Sequence, residues 1–168
     1  MYSLNEEKVS YAIQVFLLFL NVAQENKSIS HEEMEKFREE AITISTHLQL
    51  KEVDISEALS KFNALVERMN SFLKTPYPTL LLDSPENFVK GEILAFEYYL
   101  HQELKANYLT VQQEKPLFND ALQLWEKIGT TLSLQQGLSE FSQIVKKHNS
   151  YLPDKSKYPE LPHELPAP

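Results

Sequence analysis

Cysteine is absent from the chain, which excludes disulfide bonds and zinc or iron–sulfur centres held by thiolates. Glycine is almost absent too: three glycines in 168 residues leave few positions for the tight turns of a multi-stranded sheet. Oxygen and imidazole ligands for a metal ion remain possible. The shortage of glycine therefore favours a helical protein.

Basic residues are also in short supply. The 24 Asp and Glu residues exceed the 16 Lys and Arg residues, the formal net charge is -8, and the only arginines are Arg38 and Arg68. Nucleic-acid binding requires a cationic surface for the phosphates and commonly uses arginine to read guanine. The charge balance therefore predicts no nucleic-acid partner and disfavours docking to anionic lipid.

A long apolar run without charge extends from Tyr11 to Ala23. It is shorter than the roughly 20 residues that cross a bilayer. The residues before it include Glu6, Glu7 and Lys8, whereas a signal peptide would carry positive charge there. We therefore predict no membrane span, no cleaved leader and a cytoplasmic location, with export by a leaderless route as the alternative.

Apolar residues recur three and four positions apart, as from Met34 to Leu48 and from Ala58 to Phe72, which is the pattern of amphipathic helices. We predict six helices, near residues 4–25, 31–50, 55–74, 85–111, 116–129 and 133–151. The predicted fold is all-α, with a single-domain helical bundle at 1–152 and a proline-rich extended tail at 153–168. We find no internal repeat that would indicate a solenoid.

Several helix starts carry local signals. Ser3, Ser30 and Asp54 each precede a glutamate by three residues, which is the spacing of a capping box. Pro85 and Pro116 stand where proline is favoured, in a first helical turn. These residues fix the predicted starts of five of the six helices.

The first and fourth predicted helices lack a broad polar face. On the fourth, the side opposite the inner apolar stripe carries Ala95, Tyr98, Gln102 and Leu109 instead of a row of charges. Six helices bury one central helix well and two only with difficulty. This surplus predicts a self-association or partner-binding surface at Tyr98, Gln102 and Leu109.

The link between the third and fourth helices combines two prolines with three successive leucines, Leu80, Leu81 and Leu82. The prolines oppose helix continuation, and the leucines argue against a solvated linker. We predict that this loop packs on its own bundle or, as the alternative, on a partner.

The tail at 153–168 contains five of the nine prolines. This composition favours an extended, polyproline-like path over a helix or central strand. We predict that the tail lies on a surface, with Tyr158, Leu161 and Leu165 as its anchors.

No catalytic or cofactor-binding motif is evident, since the chain has no phosphate-binding glycine loop, nucleophile elbow or His-Glu-x-x-His helix. His148 continues an apolar stripe and so faces inward; a hydrogen-bonded structural imidazole is the favoured interpretation, and a ligand role is the alternative. Glu97 and His101 lie one helical turn apart and could reach one ion, although the paired Glu-x-x-His motifs of di-metal bundles are missing. The metal candidates are Glu97, His101 and His148; no catalytic residue or cofactor is predicted.

The sequence favours a non-enzymatic, adaptor-type helical bundle that binds itself or another protein through its surplus apolar surface. The alternative is a metal- or small-molecule-binding bundle, possibly enzymatic. Its pocket would lie between the fourth and sixth helices and would be lined by Glu97, Tyr99, His101, Tyr108 and His148.

Overall fold

The computed structural model describes residues 5–74, 76–78, 85–153 and 157–159. Within these ranges the chain forms six helices and no strand: α1 (Glu6–Glu25), α2 (His31–Gln49), α3 (Ile55–Asn70), α4 (Pro85–Lys105), α5 (Val111–Lys127) and α6 (Leu134–Asn149). The predicted all-α helical bundle is therefore confirmed. No helix in the described part of the chain is long and apolar enough to traverse a bilayer. The boundary between bundle and tail at residues 152 and 153 stays a prediction.

The capping signals place two helix starts correctly. Ser30 and Glu33 form a complete capping box, in which the hydroxyl and the carboxylate each accept the other residue's backbone N–H at 3.1 Å. Asp54 caps α3 by accepting a first-turn amide proton at 2.7 Å. Asn5 caps α1, and Ser3, the predicted cap, lies outside the described residues.

The border between α4 and α5 differs from the prediction. α4 ends at Lys105 and α5 begins at Val111, whereas we predicted that α4 continues to residue 111 and that α5 begins at Pro116. The chain turns at Asn107, which has a left-handed φ of 65°, and Thr110 then caps α5 with a complete capping box. Pro116 therefore lies inside α5, where its missing N–H removes one intrahelical hydrogen bond.

The six helices form two three-helix units that repeat one another. We call α1–α3 with residues 76–78 the first unit, and α4–α6 with residues 157–159 the second unit. After the first helix of each unit, the chain turns through a left-handed residue, Lys27 with a φ of 61° or Asn107 with a φ of 65°. A buried aliphatic residue, Ile29 or Leu109, and a capping box follow in both units. The sequence analysis did not detect this repeat.

Equivalent aromatic pairs lie at the centre of each unit. Phe16 and Phe62 in the first unit have ring centroids 5.2 Å apart and an interplanar angle of 86°. Phe96 and Phe141 in the second unit lie 5.5 Å apart at 83°. The first and third helices of each unit are therefore joined by the same edge-to-face contact, which is a favourable aromatic geometry.

The central helices α1 and α4 pack against each other and run in the same direction. The rings of Phe19 and Tyr98 are 5.1 Å apart, and farther along both helices the amide of Asn26 donates to Oε1 of Gln102 at 2.8 Å. Each central helix contacts the other two helices of its own unit as well as the other central helix. Both can therefore be buried at once.

This arrangement corrects the premise of the surplus apolar surface on the fourth helix. Gln102 and Leu109 are buried and Tyr98 is partly buried. Phe19 of α1 packs on Tyr98, and Asn26 at the end of α1 bonds to Gln102, whereas Leu109 lies in the turn after α4. We had expected six helices to bury one central helix well and a second only with difficulty. The duplicated architecture supplies two, so the chain itself covers the face that we had assigned to a partner.

Candidate functional site

The predicted anchors of the linker and tail fall into two groups. Tyr158 is buried within its own chain. The others lie outside the described residues: Leu80, Leu81, Leu82, Leu161 and Leu165. Their assignment to a binding surface stays a prediction.

The three metal candidates are not brought together. His101 is about half exposed, and its Nδ1 lies 3.3 Å from Oε2 of Glu114 on α5. Glu97 lies one turn earlier on the same side of α4 and is buried. His148, on α6, is fully buried and contacts a different face of α4. In the described ranges, no group of three His, Asp or Glu side chains is arranged to hold a metal ion.

Comparison of the two units shows which buried core residues are unusual in being polar. Several buried positions that are apolar in the first unit carry polar residues in the second. These pairs are Ala12 and Glu92, Phe19 and Tyr99, Val22 and Gln102, Ala23 and Glu103, Met34 and Glu114, and Met69 and His148. At one position the polarity is reversed, because buried Lys8 of the first unit corresponds to buried Phe88 of the second. Since the first unit packs apolar residues at these six positions, the fold itself does not require the acids and the histidine of the second unit.

The closest contact among these polar residues joins Glu103 on α4 to His148 on α6. Oε1 of Glu103 lies 2.7 Å from Nε2 of His148, and both side chains are fully buried. On the other side of the ring, Nδ1 lies 2.9 Å from Oδ1 of Asn149. This amide oxygen also accepts the backbone N–H of Tyr158 at 2.7 Å, while the amide nitrogen donates to the Tyr158 carbonyl at 2.9 Å. These two bonds fix the orientation of the Asn149 amide.

The network defines where the protons lie. Oδ1 of Asn149 has no hydrogen to donate, so Nδ1 of His148 carries a proton. The contact between Nε2 and Glu103 then holds one further proton, which belongs either to the imidazole or to the carboxyl. In both forms the pair is neutral overall and makes a hydrogen bond that water does not reach.

The surroundings of this pair are incompletely hydrogen-bonded. Burial raises the pKa of Glu103, and the contact with His148 opposes that rise. Burial also raises the pKa of Tyr99, and the nearby Glu103 adds to the effect. Oε2 of Glu103 and the hydroxyl of Tyr99 are both buried, and neither has a hydrogen bond of good geometry to another described residue. At the two equivalent positions the first unit has Phe19 and Ala23, so it does not bury these polar groups.

Glu92 is a second buried acid on α4, and it lies two helical turns before Tyr99 on the same face. Its side chain is almost fully buried, and burial raises its pKa to about 8. Burial also raises the pKa of Tyr77 and of Tyr158, and the charge of Glu92 adds to both. Glu92 therefore lies near the place where the first and second units contribute one tyrosine each.

Each unit holds a tyrosine segment with an asparagine at the end of its third helix. We call residues 76–78 the Tyr77 segment and residues 157–159 the Tyr158 segment. Oδ1 of Asn70 accepts the backbone N–H of Tyr77 at 2.8 Å, and Nδ2 donates to its carbonyl at 3.1 Å. Asn149 makes the same two bonds with Tyr158, at 2.7 and 2.9 Å.

The two tyrosine rings fill equivalent slots. Tyr77 contacts Phe16, Phe19 and Tyr98, and Tyr158 contacts Phe96, Tyr99, His148 and Tyr11. In each case the ring packs on the central helix of its own unit and also reaches the central helix of the other unit. Both segments therefore pack across the contact between the first and second units.

A surface groove lies between α2 and α3. Its central part, of about 650 Å³, is lined by Lys36, Glu39, Glu40, Thr43, Ile44, Lys61, Ala64 and Arg68. The groove continues along the same helices past Phe37 to Phe72 at the end of α3. Ile44 and Phe37 form an apolar floor, and charged side chains form the rim. We call this the α2–α3 groove.

The second unit has a groove in the equivalent place, between α5 and α6, with a volume of about 410 Å³. Its lining residues are Asp120, Gln123, Leu124, Lys127, Glu140, Gln143, Ile144 and Lys147. Leu124 corresponds to Ile44 on the floor, but Gln143 stands where the first unit has Ala64. This groove is therefore the more polar of the two.

The sequence analysis missed Glu103, Asn70 and Asn149. A signal for the asparagines was present, because Asn-Ser at the end of a predicted helix is followed by Tyr-Pro in two places, at Tyr77 and at Tyr158. No comparable pattern in the sequence indicates that Glu103 is buried, since a single glutamate on a helix is usually solvated. Its burial follows from the position of α6.

Comparisons of the chain with protein-family models, with curated proteins and with solved structures find no match. The functional argument therefore depends on the geometry of the molecule.

Proposed function

We propose that this is an interaction protein that binds an amphipathic helix of a partner protein in the α2–α3 groove. The observation that carries the proposal is the groove between two helices of a three-helix unit, which has Phe37 and Ile44 on its floor and is lined, within the described part of the chain, only by residues of α2, of α3 and of the turn after α3. A fourth helix placed there would complete a four-helix bundle, which is a common way for helices to bury such a surface.

The charges of the rim specify the partner's chemistry. Glu33, Glu39 and Glu40 make the α2 wall mainly acidic, whereas Lys61 and Arg68 make the α3 wall basic. A matching helix would carry basic residues on one flank and acidic residues on the other. Arg68 and Glu40 pair across the groove at 3.0 Å, with both side chains about half exposed. Such a surface pair contributes little to stability, so it can exchange for contacts with a ligand at low cost.

Phe72 is the main apolar anchor of the groove. Its side chain is 49% exposed, although it lies against Phe37 with ring centroids 6.0 Å apart. Large aromatic side chains that become buried on association commonly dominate binding energy. We therefore expect Phe72 to contribute more to binding than the charged rim.

The proposal is tested with a fluorescent amphipathic peptide of about 18 residues, with leucines at positions i, i+3, i+4 and i+7, lysines on one flank and glutamates on the other. We expect saturable binding to the full chain by fluorescence anisotropy, and Phe72→Ser is expected to weaken it roughly tenfold or more. Tyr151→Ser, at the equivalent position of the second unit, is the matched control and should bind as the unchanged protein does.

Equal losses from Phe72→Ser and Tyr151→Ser, or no saturable binding to the folded protein, would contradict the assignment of the groove. The native mass without peptide identifies a further contradicting outcome. If the protein is a dimer that Phe72→Ser dissociates, the groove is occupied by a second copy of the chain instead of a foreign helix.

A further inference from the structure

The Tyr77 and Tyr158 segments are held in the manner of bound peptides. In both, one asparagine side chain bonds to the N–H and the carbonyl of a single tyrosine residue, at 2.7 to 3.1 Å. These bonds recognise the backbone, and the buried aromatic slot recognises the side chain. Backbone bonds combined with a side-chain pocket are the general means by which proteins recognise extended peptides.

The residue that follows each tyrosine contributes to this recognition. Pro78 follows Tyr77, and Pro159 follows Tyr158. A proline restricts the residue before it to extended conformations. The tyrosine backbone is therefore preset to present its N–H and carbonyl to one amide group. The two segments resemble each other in this Tyr-Pro pair, in the clamp and in the slot.

Of the two aromatic slots, the one that holds Tyr158 is better suited to exchange its bound segment for another. The Tyr77 segment connects α3 to α4, so removing it would disturb the packing of two helices. The Tyr158 segment does not connect two of the six helices. The Tyr158 segment is held by ring packing and by the Asn149 clamp, since its buried hydroxyl has no hydrogen-bond partner among the described residues.

We propose that the slot formed by Phe96, Tyr99, His148 and Asn149 is a binding site for an extended Tyr-Pro segment of a partner protein. The incoming segment takes the place of the Tyr158 segment: its tyrosine enters the aromatic slot, and Asn149 clamps its backbone. This site is separate from the α2–α3 groove, and the test of this site does not depend on the proposal for that groove.

The test uses a fluorescent peptide with the sequence of residues 156–161, Ser-Lys-Tyr-Pro-Glu-Leu. In the full chain carrying Tyr158→Ala, the slot has lost its own ring, and we expect this peptide to bind at least about tenfold more tightly than to the unchanged chain. The same peptide with alanine in place of its tyrosine should not bind. Circular dichroism verifies that the variant keeps its helicity.

The asparagines provide a matched pair of second variants. Adding Asn149→Ala to Tyr158→Ala should weaken peptide binding roughly tenfold or more, because two backbone hydrogen bonds are lost. Adding Asn70→Ala instead changes only the clamp of the first unit and should leave the affinity unchanged. Equal effects of the two asparagine variants, or a folded Tyr158→Ala chain that does not bind the peptide, would overturn the proposal.

A measurement on the unchanged chain keeps the test decisive if Tyr158→Ala does not fold. With excess peptide, the side-chain amide resonances of Asn149 should shift in NMR spectra while those of Asn70 stay in place, and an absence of shifts at Asn149 would contradict the site.

The native mass of the protein shows whether the bound segment comes from a second copy of the chain. A dimer that dissociates on Tyr158→Ala would show that the segment passes between copies of this chain, which would overturn its assignment to a different partner protein.

Discussion

Replacing Glu103 by alanine, or His148 by methionine, is expected to lower the free energy of unfolding by about 3 kcal/mol, whereas the two replacements together are expected to restore most of that loss. Each single change leaves a buried polar group without its partner, since the two atoms lie 2.7 Å apart in a region closed to water. The double change removes both groups.

The first unit supplies the template for the double variant. At the equivalent positions it carries Ala23 and Met69, both fully buried. Glu103→Ala/His148→Met therefore reproduces a combination that this fold already packs. Replacing a buried ion pair by apolar residues is often neutral or stabilising, whereas removing one member is strongly destabilising.

Urea denaturation of the four proteins in this cycle gives the coupling energy between the two residues, and we expect it to exceed roughly 2 kcal/mol. Glu103→Gln is the control for shape, because its amide can donate to Nε2 of His148 and should cost less than alanine does. A double variant no more stable than the sum of the two single losses would contradict the proton arrangement that we infer for the pair.

The helices could be predicted from local sequence because their signals are local. Ser30 with Glu33 and Asp54 mark two starts, and both residues cap the helices in the structure. The start of α5 was placed at Pro116 because proline is favoured in a first turn. The stronger signal was the box at Thr110, and the left-handed Asn107 ends the preceding turn. Pro85 marks the start of α4 as predicted, whereas Pro116 does not mark the start of α5, because the cap at Thr110 begins that helix five residues earlier.

The duplication could not be recognised from residue identity, because the units share their pattern of burial more than their residues. Phe16 and Phe96 are identical, but Met69 corresponds to His148. Apolar stripes look alike in any helical protein, so two copies of them do not stand out. The repeat becomes visible in features that are rarer, namely the left-handed turns and the asparagine clamps.

For the candidate sites, the sequence predicted the direction of a side chain but not its partner. His148 was expected to face inward from its place on an apolar stripe, and it is fully buried and hydrogen-bonded. Its contact with Glu103 joins residues on α4 and α6, and the register of those helices is a property of tertiary packing. The same limit applies to Gln102, which bonds to Asn26 at the end of α1, so its burial depends on where α1 lies.

The stability of the protein is expected to fall as the pH rises from about 5 to about 8, and Glu92→Gln is expected to remove a large part of that fall. The pKa of Glu92 in the folded chain is about 8, against an ordinary value of 4.5. Between these values the unfolded chain has released the proton that the folded chain still holds, so the unfolded state binds fewer protons and raising the pH favours it. For a group as buried as Glu92, the loss amounts to roughly 4 kcal/mol over the whole window.

Glu97 contributes in the same direction, because burial raises its pKa to about 7. Glu92→Gln should therefore flatten the pH dependence without abolishing it, and its gain over the unchanged protein should be small at pH 5 and largest above pH 8. Chemical denaturation at a series of pH values measures this difference. Glu7→Gln, which removes one exposed carboxylate from α1, is the control and should leave the slope as it is. If the two variants have the same slope, the carboxyl of Glu92 reaches water in the folded state, and the contact between the two units is more open than its burial implies.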